Sequence, residues 1–235
     1  MTMSELQSVM IPDGYSMKDF FAIHKDLEES FNRKTPSSYE VFTNQIDKDL
    51  NNVITITESG RQHHMQKGEE EITEHLISQL KHMYPSVHHD AQHGGHCDFY
   101  FETKGSDGSI YIWVMEAKLW DGFEYVYQGL QEQLLDSYAV GGENCCKGGM
   151  IFYSQIESGV SYAMDEWHKG LTTKGVIISD KRSDGLRFNT SHKLNQGIGA
   201  DFYVNHYCID LYHKPTAQKI LRAKAKAEAK EKNDN

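Results

Sequence analysis

The sequence predicts an α/β domain with a mixed central β-sheet flanked by helices, and three observations carry that expectation. Ile110 to Asp121, Ile-Tyr-Ile-Trp-Val-Met-Glu-Ala-Lys-Leu-Trp-Asp, opens with six residues rich in β-branched and aromatic side chains, as a strand buried on both faces does. His96 to Glu102 is a second strand, joined to the first by the turn Lys104-Gly105-Ser106-Asp107-Gly108. After this hairpin, helical and extended stretches alternate, which adds further strands to the antiparallel pair and makes the sheet mixed.

The composition is consistent with one such domain plus appendages. A chain of 235 residues with 38% hydrophobic content can bury a real core, and 13 Tyr, 10 Phe and 3 Trp argue against disorder. No run of eighteen apolar residues occurs, and the opening Met-Thr-Met-Ser-Glu-Leu-Gln lacks the basic-then-apolar order of a signal peptide. The expectation is a soluble, cytoplasmic protein with no membrane partner. Four cysteines, two of them adjacent at Cys145-Cys146, form no staple pattern, so reduced thiols are expected. A formal charge of −10 excludes a global attraction to nucleic acid. Any phosphate contact has to come from a local patch and from a cation that offsets carboxylates.

Residues 1–60 read as an N-terminal helical add-on. Ser16 to Asn32 carries Met17, Phe20, Phe21, Ile23, Leu27 and Phe31 at helical spacing, with Pro36 just past its end. Tyr39 to Leu50 is a second helix, and Asn52 to Thr57 alternates like a short strand. The core domain spans 61–213. Lys67 to Met83 reads as a helical stretch in which Gly68 precedes three glutamates in the first turn, with Ile72, Leu76, Leu80 and Met83 as one stripe. Glu69, three residues before Ile72, lies on the core side, whereas Glu70 and Glu71 point outward.

The loop that follows holds His88, His89, His93 and His96, spaced like no zinc site. Beyond the hairpin, Glu124 to Ala139 is a helix with Val126, Leu130 and Leu134 on one face and Gln133 beside that seam. Strands are expected at Gly148 to Tyr153, Gly175 to Ser179, Leu186 to Thr190 and Phe202 to Leu211, with a helix at Ser161 to Lys169. Residues 214–235 form a basic C-terminal helix or tail, either a solvated end or an arm touching phosphate.

The chemistry gathers at the hairpin. A period of two puts Glu116 and Lys118 on one side of their strand, and a turn centred near Asp107 makes facing residue numbers sum to 214, which sets Asp98 across from Glu116. Facing carboxylates repel unless something positive sits between them, and a hard divalent cation meets that need. Glu69 becomes a third candidate carboxylate, and Gln133 an amide able to reach the cluster.

The order helix-borne Glu69, then Gly94-Gly95-His96-Cys97-Asp98, then Glu116-Ala117-Lys118, then Gln133, resembles the PD-(D/E)XK nuclease superfamily, whose core is restriction-endonuclease-like. More narrowly, Glu116-Ala-Lys-Leu-Trp-Asp-Gly followed by Gln133-Leu-Leu and Tyr138 is similar to a bacterial group with unassigned substrates, some of it in antiviral defence settings. The likeness covers Lys67 to Tyr153, about a third of the chain, with Cys97 where the family name has Pro.

The resemblance implies a Mg²⁺-dependent phosphodiesterase, an endonuclease in which Mn²⁺ substitutes. Glu69, Asp98, Glu116 and the carbonyl of Ala117 would hold the metal, Lys118 would orient water or stabilise charge on phosphorus, and Gln133 would position the cluster or a phosphate. The implied partner is nucleic acid, DNA rather than RNA, with a homodimer or a regulating partner protein. The alternative is a catalytically silent nuclease-fold module that binds nucleic acid or protein. A third possibility leaves Glu116 and Lys118 as a solvent-exposed charge pair.

Overall fold

A computed structural model describes residues 16–88, 91–92, 96–179, 185–194 and 201–214. Helices α1 (Met17–Lys34), α2 (Tyr39–Ser59) and α3 (Glu69–Leu80) come first. Two short strands, β1 (Ala91–Gln92) and β2 (His96–Cys97), then pair with one another. The main strands follow: β3 (Phe99–Lys104) and β4 (Ile110–Leu119), then helix α4 (Phe123–Gln128) running into a π-helical segment (Gly129–Tyr138), β5 (Lys147–Ser154), α5 (Gly159–Thr173), β6 (Ile177–Ser179), β7 (Arg187–Lys193) and β8 (Asp201–Asp210). These six strands form one sheet in the order β3-β4-β5-β8-β7-β6. The inner strands β4, β5 and β8 are parallel, and β3, β7 and β6 are antiparallel to their neighbours, so the sheet is mixed as expected.

Each face of the sheet buries its own core. Helices α2 and α3 bring Phe42, Ile46, Leu50, Ile72 and Leu76 onto Trp113, Met115, Ala117, Ile151 and Tyr207. On the other face the π segment and α5 bring Leu130, Leu134, Met164 and Trp167 onto Val114, Met150, Phe152 and Val204. The alternation along β4 sends Met115 and Ala117 to the first core and points Val114, and with it Glu116 and Lys118, to the second. Asp49 ties α1 to this body: Arg33 donates to both of its oxygens at 2.8 Å, and the Tyr84 hydroxyl donates to one at 2.6 Å.

Four expectations need correction. Asn52 to Thr57 is no strand but the last turns of α2, because Val53, Ile54 and Thr57 continue the buried stripe of Phe42, Ile46 and Leu50 at helical period. The hydroxyls of Thr55 and Thr57 donate back to the carbonyls of Asn51 and Val53 at 2.9 and 2.8 Å. The helix beyond the hairpin is α-helical only to Gln128, and from Gly129 it widens by about a residue per turn. The first hairpin strand is broken at Asp98, so His96 and Cys97 pair with β1 instead. The helix from Lys67 is shorter, Glu69–Leu80. Beyond Lys214 the expected basic tail lies outside the described residues, as do His89, His93 and Gly94-Gly95.

The sheet ends in two unlike edges, β3 and β6. The open side of β3 is met by His88, which exchanges two backbone hydrogen bonds with Tyr100 at 3.2 Å, and by the Ser86 hydroxyl on the Glu102 carbonyl at 2.5 Å. The opposite edge, β6, is three residues long.

Candidate active site

The register between β3 and β4 builds the site. Every facing pair, from Phe99 with Met115 to Lys104 with Ile110, obeys the expected sum of 214. Asp98 stands just outside this ladder, where the chain bends. Instead of confronting Glu116 directly, its Oδ2 accepts a hydrogen bond from the Ala117 amide at 2.8 Å. The buried Cys97 thiol donates to the Phe99 carbonyl at 3.0 Å, bracing the bend from the inside. Burial, with the charges of Asp98 and Glu116 nearby, pushes that thiol up to about 12, so Cys97 is an inert spacer.

Glu116 and Lys118 emerge near the end of β4 beneath the π segment. Both are buried, at 1% and 8% exposure, which removes the solvent-exposed charge pair as an account of them. The Lys118 ammonium donates to Glu116 Oε1, to the Ala117 carbonyl at 3.0 Å and to Glu69 Oε1 at 3.4 Å. Glu69 arrives from the first turn of α3, and its Oε2 accepts from the Leu119 amide at 2.5 Å. Glu70 and Glu71 are exposed, so of the three glutamates it is Glu69 that reaches the end of β4. Behind it, the Thr73 hydroxyl donates to the Glu69 carbonyl at 2.9 Å and meets the buried Tyr153 hydroxyl at 2.8 Å.

The electrostatics are unbalanced. Burial raises the Glu116 carboxyl far above the usual carboxylate range, and the negative charge of Asp98 raises it further, with Lys118 only partly offsetting both. Burial alone would lower Lys118, but Glu116, Glu69 and Asp98 outweigh it and keep the side chain an ammonium. Glu116 Oε2 is buried and accepts no hydrogen bond from the described residues. An unpaired buried carboxylate oxygen is expensive, and a hard divalent cation is the partner that satisfies one beside further carboxylates and a carbonyl. By that test Glu116, Asp98, Glu69 and the Ala117 carbonyl match such an ion in donor type, though not in spacing. Among the described residues, no three His, Cys, Asp or Glu side chains are grouped closely enough to hold a metal. At this site the Lys118 ammonium fills the space between Glu116, Glu69 and the Ala117 carbonyl.

Two residues at the site escaped the sequence reading. Gly129 opens the π segment against Lys118: a Cβ there would stand 2.9 Å from Lys118 Cε and 3.1 Å from Cγ. A glycine one helical turn before Gln133 was the available signal. Gln133 is half-buried beside this gap, its Oε1 3.5 Å from the position of that Cβ, and it makes no hydrogen bond to the carboxylates among the described residues. The second is Tyr125 on α4, 44% exposed, whose phenol is raised first by partial burial and then by the nearby charge of Glu69. No local pattern marks it.

The fold and site define a three-layer α/β domain with a mixed sheet and a buried acid-lysine cluster at the end of a central strand. Comparison of the chain with protein-family models, with curated proteins and with solved structures found no match in any of the three.

Proposed function

We propose that this chain is a metal-dependent nuclease of the PD-(D/E)XK kind, hydrolysing phosphodiester bonds in DNA. The observation that carries the proposal is the buried Glu116, with one oxygen on Lys118 and the other unpaired, where Asp98 and Glu69 converge. Such an arrangement is costly for a metal-free fold and useful for binding a cation. Glu69, Asp98, Glu116 and the Ala117 carbonyl would hold Mg²⁺, or Mn²⁺ in its place. When bound, the ion supplies Lewis acidity, acidifying a water and neutralising phosphate charge. Lys118 then turns its ammonium to the charge developing on phosphorus, Gly129 leaves room for that side chain, and Gln133 offers an amide to a phosphate oxygen.

The test is cleavage of plasmid, single-stranded DNA and RNA in Mg²⁺, Mn²⁺ and EDTA by the parent, Asp98→Asn and Lys118→Met. Cleavage that needs metal and drops at least ~100-fold in each variant is expected. Either variant cutting at the parental rate sinks the assignment. A catalytically silent binding module is favoured by one observation, the engagement of Lys118 by Glu116 and Ala117. Equal nucleic-acid binding with and without Mg²⁺, and cleavage in neither, would establish it.

A further inference from the structure

Away from the acid-lysine cluster, α2 and the sheet do not close on each other. The face of α2 that carries Phe42, Ile46 and Leu50 packs into the core, but a second stripe, Glu40, Thr43, Asn44, Asp47 and Asn51, faces a cavity of about 530 Å³. The opposite wall is the sheet beyond the helix. On the face where Tyr207 and Ile209 are buried, β8 changes to Asn205 and Tyr203, and β7 places Arg187 and Asn189 beside them. Amides at positions that continue a core face contribute nothing to packing, and a cavity of this size is of the kind that holds a small ligand.

The cavity is braced at both ends. At one end the Tyr207 hydroxyl donates to Asp47 Oδ1 at 2.7 Å and accepts from Asn205 Nδ2 at 3.2 Å, while Arg187 Nε donates to Asn51 Oδ1 at 3.1 Å. At the other, Lys147 pairs with Glu40 and reaches Thr43 at 3.4 Å. Two cations against two carboxylates leave the lining with no net charge, which disfavours phosphate and divalent cations alike. What the walls offer is amide donors and acceptors: Asn189 and Asn205 face each other directly across β7 and β8. At the rim stands the ring of Tyr203, 44% exposed.

We infer that this cavity binds a nucleobase, as a free nucleoside or as one base of a strand. Adjacent amide donors and acceptors match the edge of a base, and an exposed aromatic ring in the lining gives its flat face something to stack on. A sugar, whose hydroxyls diverge, matches the paired amides less well. The inference does not depend on the phosphodiesterase proposal, because none of these residues belongs to that cluster.

The experiment is titration calorimetry of the full chain with adenosine, guanosine, cytidine, thymidine and uridine, with short single-stranded oligonucleotides, and with a panel of monosaccharides. Asn189→Ala, Tyr203→Ala and Tyr203→Phe are run in parallel, all at positions outside the buried core. At least one nucleoside should bind, about 10-fold more weakly to Asn189→Ala and to Tyr203→Ala, and nearly as well to Tyr203→Phe, with unchanged melting temperatures. Oligonucleotide binding weakened by the same two variants identifies the base of a strand as the source. Binding of monosaccharides alone, nucleoside binding indifferent to all variants, or no binding of any probe at millimolar concentration overturns the inference. Should an alanine variant fail to fold, chemical-shift mapping on the parent decides, with shifts confined to Asn189, Asn205 and Tyr203 expected and shifts elsewhere fatal.

Discussion

At the scale of single residues, the proposed active site would trade stability for chemistry, and Gly129 shows how. Glycine in a helix interior costs roughly 0.5–1 kcal/mol relative to alanine, so Gly129→Ala should gain helix stability of that order. The added methyl meets the flexible stem of Lys118, which can yield, but only by moving the ammonium away from Glu116. The expected outcome is a melting temperature at or above the parent's together with cleavage reduced by roughly 10- to 100-fold, since displacement of a catalytic group by an ångström has that effect. A thermal melt and a cleavage time course on one preparation check both halves. Unchanged cleavage would show that Lys118 need not lie against this helix. The hairpin residues were legible beforehand because a two-residue period and a turn fix a register by arithmetic. Tyr125 was not, since its approach to Glu69 depends on how α4 turns after β4.

At the scale of elements, a buried polar chain joins α5, β8 and β7. The Trp167 indole donates to His206 Nδ1 at 3.0 Å, so the other ring nitrogen carries the proton and donates to the Thr190 hydroxyl at 2.7 Å. Thr190 in turn donates to His192 Nε2 at 2.6 Å. Burial pulls His192 down to about 4 and His206 well below the usual imidazole range. Both are neutral in the folded state, whereas in the unfolded chain an imidazole titrates near ~6.5. Stability is therefore whole above that pH and is lost as pH falls toward about 4. By pH 5 the loss from His192 is roughly 2 kcal/mol, and His206 adds to it in the same direction. Urea midpoints measured from pH 7 to 5 should fall accordingly. His192→Gln, which still offers Thr190 an acceptor, should flatten that fall, and an identical slope in the variant would remove His192 from the account.

The same scale shows where the sequence misleads. Val53 to Thr57 has the β-branched content of a strand, yet a helical stripe reaching back to Phe42 decides its state. The π winding after Gly129 was illegible, because the spacing of Leu130, Leu134 and Tyr138 suits an α-helix as well. Asp98 broke its strand because its carboxylate found the Ala117 amide, a contact that only the folded hairpin creates.

At the scale of the whole molecule, charge limits how nucleic acid can be held. The chain carries a formal −10, and the lysine in the site is buried and paired, so few phosphates can be neutralised by side chains alone. The logarithm of affinity against the logarithm of salt should then have a slope shallower than about −3 in EDTA. Fluorescence anisotropy with Asp98→Asn and labelled DNA measures it, and a slope near that of a strongly basic binder would point to a cationic surface elsewhere. The sheet edges set a second limit, on assembly. Among the described residues, His88 and Ser86 occupy part of the free side of β3 and β6 runs for three residues, so neither edge there offers a second chain a long ladder. Strand-to-strand aggregation is thereby disfavoured along those described stretches. Two copies of the proposed nuclease, one for each strand of a duplex, would then meet more readily through their helices than by extending these described edges.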